Sequence, residues 1–272
     1  PGPVAEFLDE RDHADGGRGT VVLWSAAEND GPPTRETIEL PNVAAEFRAP
    51  PTAVIGVGGL AGRVMRQLRS RLAREVGDDH REAVAMLLLD SDSRGISAAV
   101  QGNDRTALRP DETMTLPLRR PQEYREGSAL LMRWLSRRWL YNIPKSLRTE
   151  GLRPLGRLAF VDHSRQIGER IRLTLDRARC GGAETSEAPT PAAGVSTNRL
   201  RVYVVAGVSG GTGSGMSLDV GYAVRTMAAK QGLDDVEVIG LFLHATGRDA
   251  QQNDLARVNS FAWLREYNHY HR

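Results

Sequence analysis

At 272 residues, with 40% hydrophobic and 26% charged side chains, the chain has the make-up of an ordinary globular protein and the length for one large α/β domain or two small ones. A formal charge of +2 is too small to point to nucleic acid, no apolar run is long enough to cross a bilayer, and the start lacks a basic-then-apolar secretory layout. A cytoplasmic protein with no DNA or membrane signal is therefore expected, and the lone Cys180 excludes an internal disulfide or a thiolate metal cluster.

In chain order, residues 1–50 are loosely patterned. Two short β-like runs, 20–24 and 37–40, flank a turn-forming stretch and predict a β-hairpin-like N-terminal extension. The first strong unit is an apolar strand at 53–57 that runs into Gly58-Gly59-Leu60-Ala61-Gly62 and then a helix. Val64, Leu68 and Leu72 predict its buried stripe, with Arg66, Arg69 and Arg74 falling away from it. A second strand at 83–89 is continuously apolar, as a strand covered on both faces should be, and ends in Asp90-Ser91-Asp92.

Residues 103–127, polar and proline-bearing, read as a long loop before a helix at 128–141. In that helix Leu131, Trp134, Leu135 and Trp139 are expected in the core and Arg133, Arg137 and Arg138 in solvent, which is preferred to a nucleic-acid surface. A short strand at 157–161 and a helix at 167–179 follow. Residues 181–198, almost without apolar bulk, predict a flexible loop. Then come a strand at 200–206, a glycine loop at 207–215, a helix at 216–230, a strand at 236–243 and a helix at 255–270. This alternation predicts an α/β, three-layer, mostly parallel sheet with helices on both faces, spanning 51–272 and carrying an insertion at about 101–198.

The chemistry is concentrated in the two glycine loops. In Ser209-Gly210-Gly211-Thr212-Gly213-Ser214-Gly215 the glycines allow close backbone approach, Thr212 and Ser214 add hydroxyls, and the following helix offers unpaired N–H groups and the positive end of its dipole. These parts make a phosphate cradle, and the Gly58–Gly62 loop repeats the logic on the first strand. Asp90 and Asp92 are expected at the same sheet edge, where one of them holds Mg²⁺ through water. The histidines show no ligand spacing with acids or cysteine, and His269-x-His271 reads as a frayed helix end.

The heptapeptide 209–215 resembles, at every position, the signature of the tubulin/FtsZ superfamily. Residues 52–62 resemble that family's first nucleotide loop, 89–92 its second-strand acidic turn, and the order of units is the same; the closest likeness is to bacterial tubulin-like proteins. The arginine-rich make-up, with only Lys145 and Lys230 as lysines, also suggests a GC-rich bacterial genome. The resemblance implies a Rossmann-like GTP/GDP-binding domain. Gly58, Gly59 and Leu60 would line the phosphates, Gly210, Gly211, Thr212, Gly213 and Ser214 would wrap them after Ser209, and Asp92 would sit near Mg²⁺ beside Asp90. It further implies head-to-tail self-association and a filament-forming GTPase, or alternatively a non-hydrolysing nucleotide-bound scaffold.

Arg63 and Asp90 depart from the family's asparagines. Arg119 and Arg120 are guesses for the γ-phosphate loop, and Thr246, Arg248 and Asp249 fall in the region that approaches the ribose. The resemblance also places the base-gripping helix and the loop that completes hydrolysis beyond Arg272, so the C-terminal half of the family fold is expected to be missing and nucleotide binding to be weak. Two rivals are weaker. A Rossmann dehydrogenase fits Gly56-x-Gly58-x-x-Ala61 but leaves the second loop unexplained, and a P-loop reading of Gly210–Ser217 has Met216 where the motif needs lysine.

Overall fold

The computed structural model describes residues 50–77, 83–124, 128–184, 199–244 and 253–270. The expected hairpin at 20–24 and 37–40, residues 185–198 of the predicted loop, Thr246, Arg248, Asp249 and His271 lie outside the described residues. Five strands, β1 (Thr52–Val57), β2 (Ala85–Asp90), β3 (Thr113–Thr115), β4 (Leu200–Gly207) and β5 (Val236–Leu243), form one sheet in the order β3-β2-β1-β4-β5. Every pairing is parallel.

The strands are apolar on both faces because each face carries helices. On one side α1 (Gly59–Glu75) and α2 (Ser93–Val100) cover Val54, Met86, Leu88 and Val205. On the other, α5 (Arg153–Glu184) and α6 (Gly211–Lys230) cover Ile55, Val57, Leu87, Leu89, Val202 and Val204. This is the three-layer α/β architecture that the sequence predicts. The last helix, α7 (Asn253–Tyr270), joins α6 and β5: Trp263 Nε1 donates to Ser217 Oγ at 2.9 Å, and its ring meets that of Phe242 at 4.4 Å.

Several expectations fail in detail. No strand exists at 157–161; those residues lie within α5, because Leu155, Leu158, Ile167, Ile171 and Leu175 continue a helical stripe onto the sheet. The helix expected at 128–141 is two short ones, α3 (Ser128–Leu131) and α4 (Arg137–Tyr141). Between them the chain turns to bury Leu135, while Trp134 stays 41% exposed under the Arg157 guanidinium. Residues 103–124 are not simply loop but supply β3 and two 3-10 turns, Pro110–Glu112 and Pro121–Tyr124.

The stripe of α1 is also rotated from the expected one. Ala61, Gly62, Met65, Arg69 and Ala73 are the buried positions, the expected Val64, Leu68 and Leu72 pack partly buried against the same core, and Arg69 is fully enclosed. Its Nη2 donates to Glu112 Oε1 at 2.7 Å, so a charge read as solvated is neutralised by a partner 43 residues away.

Candidate phosphate cleft at the strand ends

The strand order fixes where a cleft opens. The chain leaves the central β1 toward β2 and β3, then returns to β4 and β5 on the other flank, so β1 and β4 are neighbours whose helices depart to opposite faces. A crevice forms outside the carboxyl ends of strands at such a switch point. Here it is a cleft of about 230 Å³. Gly58, Gly59 and Leu60 line one wall, Ser209 to Gly213 another, and Leu243 and His244 a third.

The two glycine turns are in contact. Gly58 has φ 84°, a conformation costly for any residue with a Cβ, and its N–H donates to Leu89 O at 2.8 Å. A Cβ at Gly58 would stand 3.4 Å from Gly213 N. Helix α6 begins at Gly211, not at the expected 216, so most of the predicted loop is its first turns. Those turns are glycines for reasons of packing. A Cβ at Gly213 would overlap the Gly207 carbonyl oxygen, one at Gly215 the Arg153 carbonyl oxygen, and one at Gly211 would lie 2.8 Å from Leu152 N. Gly210 differs: nothing lies within 4 Å of its Cβ position, which is open.

Both helices that start at the cleft lack a side-chain cap and an acidic residue in the first turn. No side chain of either helix thus takes up the orphan N–H groups at these two starts, which carry the positive dipole ends. By contrast α2, which starts nearby, is capped by Asp92, whose carboxylate accepts from Arg94 N at 2.9 Å.

The two aspartates sit differently from the glycines. Asp90 is 3% exposed behind Gly59 and Gly95, with Oδ1 accepting from Asp92 N at 3.1 Å. Burial pushes its carboxyl up to about 6, against weaker lowering by that backbone bond. Asp92 faces outward and is held at about 2, first by its hydrogen bond with Arg94 and then by Arg148. It is therefore ionised at neutral pH and engaged by two guanidiniums, those of Arg94 and Arg148. Ser214 is buried, with its hydroxyl turned back to Gly210 O.

One segment escaped sequence reasoning. Residues 147–152, just before α5, lie across the strand ends. Thr149 Oγ1 is 3.1 Å from Thr212 Oγ1 and 3.3 Å from Ser91 Oγ, and those two hydroxyls are 2.7 Å apart. Asn259 of α7 donates from Nδ2 to Gly151 O at 2.8 Å and to Ser209 O at 3.0 Å. Leu147 and Glu150 have φ of 56° and 44°, a conformation that costs roughly 1–3 kcal/mol each and persists where surroundings over-determine it. Arg119 pairs with Asp162, 3.5 Å away on α5, and lies over the Tyr124 ring.

The sheet order and paired glycine turns define a doubly wound α/β protein with a cleft at its strand ends. The family model described as "Tubulin like" matches residues 53–272, and the chain belongs to that family. Among solved structures it is similar to CetZ from Methanosaeta thermophila strain DSM 6194, at 13% identity over 79% of this chain and 41% of that one, with a TM-score of 0.44. CetZ2 from Haloferax volcanii, a GTPgS-bound protofilament, gives 19%, 79%, 45% and 0.45. CetZ1 from the same organism, a GDP-bound monomer, gives 14%, 79%, 46% and 0.46. The chain thus spans less than half the length of these proteins. Comparison with curated proteins finds no match.

Proposed function

We propose that residues 51–272 act as one nucleotide-binding unit, that the cleft takes the phosphates of GTP or GDP, and that the protein is a filament-forming tubulin-like GTPase. The observation that carries the phosphate reading is the meeting of two uncapped helix N-termini, α1 and α6, in one glycine-walled cleft. At about 230 Å³ the cleft is smaller than a whole-ligand pocket, which usually runs to roughly 300–1,000 Å³, so it suits the phosphates alone. Guanine as the base, head-to-tail assembly and hydrolysis are carried over from family membership.

In this reading the amides of Gly59, Leu60, Gly211 and Thr212 bind the phosphate oxygens, and Leu60 and Leu243 keep bulk water from them. Asp92 would hold Mg²⁺ through water; the ion would neutralise phosphate charge. The Ser91–Thr149–Thr212 hydroxyl set fixes the turn that presents the amides.

Calorimetric titration with GTP, ATP and NAD⁺ tests this, with Gly210→Ala as the control because its new methyl enters open space. The expected result is binding of the guanine nucleotide, weakened about tenfold in the variant, which is about 1.4 kcal/mol, at unchanged melting temperature. Absence of heat with every nucleotide, or equal binding by the variant, overturns the reading. Nucleotide-dependent light scattering tests the filament.

A further inference from the structure

Helix α7 reaches the wall of the cleft through one buried side chain. Asn259, 4% exposed, donates from Nδ2 to Ser209 O at 3.0 Å and to Gly151 O at 2.8 Å. Both acceptors are carbonyls, so the amide nitrogen must face them, and both of its hydrogens are engaged. Ser260, the next residue of α7, donates from Oγ to Ala256 O at 2.9 Å, which leaves its oxygen to accept the Ser209 hydroxyl 2.9 Å away. Ser209 is thus held at its carbonyl and at its side chain by consecutive residues of one helix. A peptide unit is planar, with its N–H directed opposite to its C=O. Fixing Ser209 O toward α7 therefore fixes the Gly210 N–H pointing away from α7. Gly210 lines the cleft as the N-cap of α6, and among the described residues no protein acceptor takes its N–H.

We propose that Asn259 is a positioning residue of the phosphate turn: by gripping Ser209 O it aims the Gly210 amide at a phosphate oxygen of the bound nucleotide. It acts through the Ser209–Gly210 peptide and not on the ligand itself. The grip is needed because Gly210 has no Cβ to restrict it. A glycine takes either sign of φ at little cost, so the peptide before it can turn over by rotation about its two flanking bonds, with the strands and α6 left in place. Open space around the Gly210 Cβ position offers no steric block to that turn. The second Asn259 bond, to Gly151 O, anchors the gripping amide to the segment before α5. This inference rests on the polyphosphate reading of the cleft.

The test compares GDP affinity for the intact protein, Asn259→Ala and Trp263→Phe, with thermal melting of each and the Gly210 backbone amide followed by nuclear magnetic resonance. Trp263→Phe removes the α7-to-α6 bond at Ser217 Oγ and leaves Ser209 untouched, so it reports what loosening α7 alone does. The expected outcome is that Asn259→Ala weakens GDP by about tenfold, the loss of one amide bond to a charged phosphate, and shifts the ligand-free Gly210 resonance. Trp263→Phe is expected to lower the melting temperature while keeping affinity within about twofold. Parent-like binding by Asn259→Ala, or equal weakening by the two variants, overturns the inference while the parent's own binding keeps the cleft assignment intact. Failure of the parent to bind removes the cleft assignment and this inference together. If Asn259→Ala melts below the assay temperature, the intact protein decides: a Gly210 amide that does not move at saturating GDP overturns the proposal, and one that moves with the binding midpoint upholds it.

Discussion

At Asp90 burial and charge conflict. Its carboxyl, nearly enclosed behind Gly59 and Gly95, keeps its proton up to about pH 6, whereas in the unfolded chain it ionises near 3.8. A group that binds its proton more tightly when folded removes stability as the pH rises between those two values. Above pH 6 the loss is complete, at about 3 kcal/mol as an order of magnitude. Asp92 acts in the opposite sense: held near 2, it adds stability above its ordinary value that fades as the pH falls from about 4 to 2. Replacement Asp90→Asn keeps the acceptor for Asp92 N and removes the buried charge. Melting of the ligand-free variant is expected to match the parent near pH 4 and to exceed it at pH 7.5, with the decline between pH 4 and 6 flattened. A variant less stable than the parent at pH 7.5 contradicts this account.

The cleft's shape depends on how α5 and α6 cross. Gly156 of α5 stands against Gly211 O and Gly215 of α6, and a Cβ there would overlap that carbonyl, so the two backbones touch just below the cleft. Gly156→Ala is therefore expected to cost more than about 2 kcal/mol in denaturant unfolding, because neither backbone can yield without shifting the start of α6. Gly221, farther along α6 with open space at its Cβ position, gives the converse: Gly221→Ala should be neutral or add up to about 1 kcal/mol through helix propensity alone. Equal effects at the two positions contradict the crossing as the determinant.

This crossing also explains what sequence reading reached and what it missed. Glycine loops after buried strands are local features, and the sequence alone places Gly58 and Gly211 at one sheet edge, where both line the same cleft. The run Leu158-Ala159-Phe160-Val161 was not legible as helix, since a short apolar stretch fits either period until its neighbours are placed on the sheet. Arg69 read as solvated because its partner Glu112 is close only in space. Arg148 and Thr149 gave no signal, because their roles come from a turn conformation that no motif encodes.

At the scale of the whole molecule, one topological fact organises the rest. With β1 and β4 adjacent and their helices on opposite faces, the sheet leaves a crevice between two helix starts, and both starts are free of side-chain caps and acidic residues. The segment between β3 and α5 adds to this frame without altering strand order. It delivers the turn at residues 147–152 onto the crevice edge, where Asn259 of α7 ties that turn to Ser209.

The most direct test of that arrangement is a nuclear magnetic resonance titration with GDP that follows the backbone amides of Gly59 and Gly211. The account predicts that both resonances move together, with one shared dissociation constant, while amides at the far ends of α1 and α6 stay still. Movement of one turn without the other, or two separate midpoints, would show that the glycine turns do not hold a common phosphate group.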